Sequence, residues 1–508
     1  MPHRALPFPS QPLVLRKYPA TLPGGGLLVG WSMETEHVRA PIGFNFGDPE
    51  ITPTDGFIDP ILLHGEGHLI TIAPTGAGKG VGCIIPALLR HPGPCIVIDP
   101  KGENAAITAR ARRERGETVV VLDPMGITGE ETGGFNPLDL IRPESPEGVD
   151  EATALVSALL PDTLGGEKNQ YWVNRGRQLL IGVILHVVSD LPPEKHTLTE
   201  VRRIIHEMTT QQKAVAKRMA ASRHPEVRLI EGALSIGASD TLGGIISFAQ
   251  EGIDFVRGPL IQFVLEKTTF DIDTIVAGGP TSVFIVMPPH MLHSHGRVLR
   301  LWIGALIQLI LRRRGKPPLS TLFILDEAAQ LGTLDELRTA ITLLRGYGLQ
   351  TWSFWQDASQ LKQLYPRDWQ TMVNNSRVFQ AFGANNLAAA EDMAELVGFM
   401  SGRQFLEMER GEMLLQIAGD EAVVARLPNY LSDPVFEGQF DKNPFFDPDH
   451  SPLPQPRLSR CYLRETRSIA DPAETPARTI RKNPLDAHIL DLIRKDMAGS
   501  AATTTEAP

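Results

Sequence analysis

The sequence predicts an α/β fold: a central, parallel-rich sheet interrupted by an inserted all-α module. Three observations carry this. A short apolar strand, His68–Ile72, runs into the glycine-rich loop 73–80 and then into the apolar stretch from Val81. Continuous apolar runs that end in Asp (95–99 and 118–123) flank residues 102–115, which close on a charged helix face. That is the βαβ rhythm of a parallel sheet covered on both sides. Between about 150 and 262 the strand rhythm gives way to helical periodicity, and strands resume at 281–287, 322–326, 350–356 and 377–382.

The loop reads Ala73-Pro74-Thr75-Gly76-Ala77-Gly78-Lys79-Gly80. Gly76 and Gly78 allow a tight turn whose N–H groups point at phosphate oxygens. The N-terminus of the following helix, from Gly80 and Val81, adds its dipole to the anion site. Pro74, Thr75, Gly76, Ala77, Gly78, Lys79, Gly80 and Val81 are the expected nucleotide cradle, with Lys79 on the β- and γ-phosphates. The usual pattern is G-x-x-x-x-G-K-[ST]. Ala73 stands in place of the first glycine and Gly80 in place of the metal-binding hydroxyl. The plain alternative is a glycine-rich turn before a helix, and the strand-loop-helix context argues against it.

Downstream, Leu322-Phe323-Ile324-Leu325 leads to Asp326-Glu327. A carboxylate at that strand end suits Mg²⁺, so Asp326 is the expected metal ligand. Glu327 is placed to polarise an attacking water. A lone Asp-Glu pair would otherwise cap the next helix. The two motifs together predict ATP and Mg²⁺ as ligands and hydrolysis as the reaction. Gln356 ends the apolar strand 350–356, so its amide points into the crevice at the carboxyl edge of the sheet. Lys101 and Glu103 follow another such strand end.

The chain has 508 residues, 42% hydrophobic and 21% charged, ordinary for a soluble globular protein of two or three domains. Its net charge of −10 gives no general basic field for nucleic acid or membrane. Cys83, Cys95 and Cys461 are far apart in sequence, which suggests neither a disulfide framework nor a metal site and fits a reducing cytoplasm. The segments 179–188 and 301–311 are too short to span a bilayer and read as buried helices. His290, His293 and His295 lie in a proline-rich stretch without nearby carboxylate support and read as a solvated loop. Arg312-Arg313-Arg314 reads as a solvated helix end.

The domain boundaries expected are 1–25 extended, 26–145 and 266–440 as two parts of the nucleotide-binding domain, 146–265 as the inserted all-α domain, and 441–508 as a proline-rich, disordered tail holding one short amphipathic helix at 485–497. Thr197-Leu198-Thr199-Glu200 reads as a capping box opening a helix that runs to about Met219.

Ala73–Gly82 and Ile98-Asp99-Pro100-Lys101-Gly102-Glu103-Asn104 closely resemble the ATPases known as type IV secretion coupling proteins, which act in conjugative DNA transfer. Phe135-Asn136-Pro137-Leu138, Tyr171-Trp172, Arg177-Gln178-Leu179-Leu180, Leu325-Asp326-Glu327, Gly346-Tyr347-Gly348-Leu349, Trp355-Gln356 and Ser359-Gln360-Leu361 follow in the same order. The resemblance covers about 26–435.

It implies a RecA-like P-loop NTPase that assembles as a hexamer on the cytoplasmic side of the bacterial inner membrane. The motor would bring DNA, single-stranded and with its relaxase, or an effector protein to the type IV secretion machinery. The helical insert would meet the cargo. The resemblance also implies a trans-acting arginine finger at Arg345, with Arg300 and Arg377 as rivals, and a sensor role for Gln356. Most members begin with a transmembrane anchor; no such span is read here, so the chain resembles the anchorless minority. Two other readings remain: a protein-effector receptor ATPase without DNA translocation, and a P-loop nucleotide switch.

Overall fold

The computed structural model describes residues 13–22, 24–36, 57–160, 167–235, 239–420, 422–445 and 458–464. Fourteen strands are formed among them: β1 (Leu13–Lys17), β2 (Leu27–Ser32), β3 (Glu34–Glu36), β4 (Pro60–Leu63), β5 (His68–Ile72), β6 (Cys95–Ile98), β7 (Thr118–Leu122), β8 (Thr281–Ile285), β9 (Thr321–Leu325), β10 (Leu349–Trp355), β11 (Ser376–Ala381), β12 (Glu412–Ile417), β13 (Val423–Arg426) and β14 (Leu458–Arg464).

Eleven strands make one sheet in the order β4-β2-β13-β12-β11-β5-β10-β9-β6-β8-β7. From β11 to β7 every neighbouring pair is parallel. From β11 to β4 every pair is antiparallel. Most residues of the parallel strands are buried, which explains their largely apolar composition. Alternation along each strand sorts the side chains. Ile70, Ile72, Ile96, Ile98, Phe323 and Leu325 pack toward the helical core. Leu69, Val97, Leu322, Ile324, Trp352 and Phe354 pack with Ile84, Ala87 and Leu88 on the other face.

Between β7 and β8 the chain forms helices Gly148–Leu159, Glu167–Asp190, Leu198–Ala220, Pro225–Ser235, Ser239–Ile253 and Pro259–Glu266, then the short Ile272–Ala277. The side chain of Thr197 accepts from the N–H of Glu200 and caps the third of these, while the Glu200 carboxylate pairs with Arg203. The Phe135-Asn136-Pro137 segment joins this module to the sheet. The Phe135 N–H donates to the Val264 carbonyl, the Asn136 amide donates to the His196 carbonyl, and Trp302 Nε1 donates to the Phe135 carbonyl at 2.9 Å.

Three readings differ from the sequence expectations. Pro289–Leu311 is a helix, so His290, His293 and His295 sit in its first turns and not in a loop; Pro289 opens that helix, a position where proline costs nothing. Arg313 is buried, so the arginine run is not a wholly solvated helix end. Leu458–Arg464, inside the stretch expected to be a disordered tail, is a strand paired antiparallel with β1, and both belong to a three-stranded sheet in the order β1-β14-β3. The short helix expected at 485–497 lies outside the described residues. Among the described residues no helix is long and apolar enough to cross a membrane.

Candidate active site

The glycine-rich loop leaves the carboxyl end of β5 in the middle of the parallel strands. Gly76 and Gly78 adopt φ of 81° and 101°, a region that L side chains avoid. A Cβ at Gly76, Gly78 or Gly80 would meet nothing within 4 Å, so the loop is open to a close-approaching group. Gly80–Ile84 is a π-helical turn that runs into helix Ile85–Arg90, with the Ile85 N–H donating to the carbonyl of Gly80. Pro86, which has no N–H and crowds the carbonyl four residues back, accounts for the widened turn.

Lys79 is buried. Its Nζ donates to the Ala73 carbonyl at 3.1 Å and lies 3.7 Å from Glu327 Oε1. β10 lies between β5 and the acidic strand β9, and this order brings three strand ends together. At the end of β10, Gln356 Nε2 donates to Glu327 Oε2 at 2.6 Å. Gln360 Oε1 accepts the backbone N–H of Gln356 at 2.9 Å and fixes that turn.

Glu327 itself has φ 58° and ψ 50°, the one non-glycine residue with positive φ among those described. A left-handed glutamate is costly and persists where its surroundings hold it, here Gln356 and Lys79. Asp326 is raised to about 6 by burial and by the neighbouring Glu327 carboxylate, with Lys79 opposing.

The structure adds a residue that the sequence reading did not single out. Asp99 ends β6, whose Ile98 is paired with Leu325 of β9. Asp99 is buried and accepts the Ala105 N–H at 2.8 Å and the Asn104 amide at 3.2 Å. Burial pushes it up to about 7, and the charge of Asp326 adds to the shift. An Asp closing an apolar strand beside a second strand of the same kind was the available signal. Lys101 and Glu103 lie close enough to Asp326 to alter its proton affinity in opposite senses.

The three arginines separate. Arg345 lies in the 3₁₀ turn Leu344–Tyr347, just before β10 begins, at the opposite end of that strand from Gln356. Its charge helps hold His68, the first residue of β5, down at about 4, after burial. Arg345 is therefore far from its own Lys79. Its side chain is exposed and makes no hydrogen bond or ion pair among the described residues, while its carbonyl accepts the Gly348 N–H. Arg300 donates to the Leu331 carbonyl at 2.6 Å, and Arg377 donates to the carbonyls of His64 and Glu66.

A strand order that seats a phosphate loop, an acidic strand end and a glutamine-tipped strand side by side is the architecture of a RecA-like P-loop NTPase. The family model described as "Type IV secretory system Conjugative DNA transfer" matches residues 31–405. The chain belongs to this family of type IV coupling proteins. It is 26% identical over 453 residues to the conjugal transfer protein TraG of Escherichia coli, covering 76% of this chain and 70% of that protein. It is also 26% identical over 352 residues to the coupling protein VirD4 of Bartonella quintana, covering 67% of this chain and 54% of that one. The solved structure of the plasmid coupling protein TrwB in complex with ADP and Mg²⁺ shares the fold, with a TM-score of 0.56 at 18% identity over 71% of this chain and 85% of that one.

As a coupling-protein site, the donor set fits a magnesium nucleotide. Mg²⁺ takes one or two carboxylates and keeps phosphate oxygens and waters for the rest. Asp326 would supply the carboxylate, and the open loop would leave room for the phosphates. Gly80 supplies no hydroxyl, so a water would fill that position.

Proposed function

We propose that this chain is an ATP-hydrolysing coupling protein that recruits DNA with its relaxase, or an effector substrate, and drives it to a type IV secretion channel in conjugative transfer. The observation that carries the reading is the convergence of Lys79, Asp326, Glu327 and Gln356 at three carboxyl strand ends. Pro74–Val81 cradle the triphosphate, with the Lys79 ammonium on the β- and γ-phosphates in place of its present partners, Ala73 and Glu327. Asp326 holds Mg²⁺, which neutralises charge on the transferred phosphoryl group. Glu327, released from Lys79 but kept by Gln356, orients and polarises the attacking water.

In this reading Arg345 completes the site of a neighbouring copy, because it stands at the wrong end of β10 to reach its own. That favours a head-to-tail ring, the hexamer implied by the family likeness, in which each copy lends one arginine. A protein of this kind works at the cytoplasmic face of the bacterial inner membrane. The test is the ATPase rate with and without single-stranded DNA at two salt concentrations. Stimulation by DNA that weakens with salt is expected, since phosphate contacts release counterions. Hydrolysis indifferent to DNA at both salts would move the cargo to protein. No hydrolysis under any condition would refute the motor.

A further inference from the structure

The turn that carries Arg345 is gripped by a second arginine. Arg313 follows the C-terminus of helix Pro289–Leu311 and is buried. Its guanidinium makes five hydrogen bonds, all to neutral oxygens. Nε donates to the Val276 carbonyl at 3.0 Å. Nη2 donates to the Ile275 carbonyl at 3.0 Å and to Thr321 Oγ1 at 2.8 Å. Nη1 donates to the carbonyls of Tyr347 at 2.9 Å and Gly348 at 3.3 Å. Among the described residues it has no carboxylate partner. Burial lowers its pKa to about 10, so the cation persists at neutral pH.

A buried charge without a counterion is costly unless dense hydrogen bonding offsets it. Here the offset comes from carbonyls, two of them in the last turn of helix Ile272–Ala277, where the dipole favours a cation. The same guanidinium reaches the start of β9 through Thr321 and the start of β10 through Gly348. It therefore fixes the turn 344–347 to the two strands that bear Glu327 and Gln356 at their far ends. The turn has two further restraints. Leu344 is buried, and Gly348, at φ 71°, packs so closely on Pro317 that a Cβ there would stand 2.6 Å from its Cδ. Arg345 thus projects as a free side chain from an immobilised base.

We propose that Arg313 is the positioning residue for Arg345: it holds the turn so that Arg345 is presented, pre-organised, to the nucleotide of a neighbouring copy. The inference rests on reading Arg345 as the trans-acting group. Pre-organisation matters because a displacement of about 1 Å at such a group costs on the order of a hundredfold in rate.

The experiment uses the full chain carrying Arg313→Met, which keeps the volume and loses the donors, and Arg313→Lys, which keeps the charge with too few donors. Each should lose on the order of a hundredfold in kcat. Binding of a fluorescent ATP analogue should be unchanged, because the phosphate loop lies at the other edge of the sheet. Each is then mixed with Lys79→Ala subunits. The Arg313 variants keep an intact phosphate site, and the Lys79→Ala subunits keep an intact Arg345 turn. In a head-to-tail ring roughly a quarter of the interfaces at equal mixing join the two, so activity returns. A merely structural role for Arg313 gives no such return.

A parallel mixture of Arg345→Ala with Lys79→Ala separates the two ideas. Recovery there, with none for the Arg313 variants, overturns the positioning role. No recovery in either overturns the trans reading of Arg345. Wild-type kcat in both Arg313 variants also overturns the role. Should the Arg313 variants fail to fold, Gly348→Ala strains the same turn against Pro317 and must show the same loss, the same unchanged nucleotide binding and the same recovery. Its failure to do so overturns the proposal.

Discussion

Replacing Glu327 with glycine should leave the protein more stable than replacing it with alanine, the reverse of the usual order. Glu327 holds φ 58° and ψ 50°. An L side chain in the left-handed region costs about 1–2 kcal/mol, a cost glycine does not carry. Against this, glycine gives up about 0.5–1 kcal/mol through the greater freedom of the unfolded chain. The difference puts glycine ahead by roughly 0.5–1 kcal/mol. Both variants delete the carboxylate, so the lost bond to Gln356 and the lost attraction to Lys79 cancel in the comparison. Urea unfolding of the ligand-free proteins at equal m-value measures it. Neither variant should hydrolyse ATP. An alanine variant as stable as the glycine variant, or more so, would show that the backbone at 327 is not left-handed in solution. The idea that the acidic strand end stores strain for aiming its carboxylate would then fall.

Other outcomes follow from the same geometry. Lys79→Ala should abolish hydrolysis and sharply weaken ATP affinity by equilibrium binding, whereas Glu327→Gln should bind ATP and turn over slowly; normal turnover in either would remove that residue from its role. Gln356→Leu frees the Glu327 carboxylate and should lower kcat by on the order of a hundredfold with little change in ATP binding; equal losses in both would mark it as a binding residue. Asp326, at about 6 against 3.8 unfolded, holds its proton more tightly in the fold. Its share of ligand-free stability is therefore largest below about pH 4 and is lost as pH rises through about 6. Mg²⁺ must displace that proton, so the Mg²⁺ concentration needed for half-maximal hydrolysis should rise about tenfold per pH unit below about 6. A requirement flat between pH 5 and 7 would argue against Asp326 as the ligand.

The parallel half of the sheet is legible in the sequence because burial demands largely apolar runs, and β5 through β9 have them. The antiparallel half is not. β2, β4, β12 and β13 are four to six residues long, and they become strands by pairing outward from the free side of β11. The phosphate loop and Asp326-Glu327 are legible because their chemistry fixes residue types at fixed spacing. That Gln356 reaches Glu327 depends on β10 lying between β5 and β9, an order that no local pattern encodes. The left-handed backbone of Glu327 and the burial of Arg313 are equally silent. The same three arginines read as a solvated run until helix Ile272–Ala277 and the turn 344–347 enclose the middle one.

The strand Leu458–Arg464 makes the trimming of this chain hazardous. A fragment ending at Phe445 would keep every residue of the nucleotide site and shed most of the proline-rich segment. It would also remove the middle strand of the order β1-β14-β3, leaving Leu13–Lys17 without its register partners 458–462. An orphaned strand with open N–H and C=O groups is a template for pairing with another molecule. Such a fragment should self-associate edge to edge, and an oligomer measured on it could be mistaken for the functional ring. Fragments ending beyond Arg464 keep the strand and avoid the artefact.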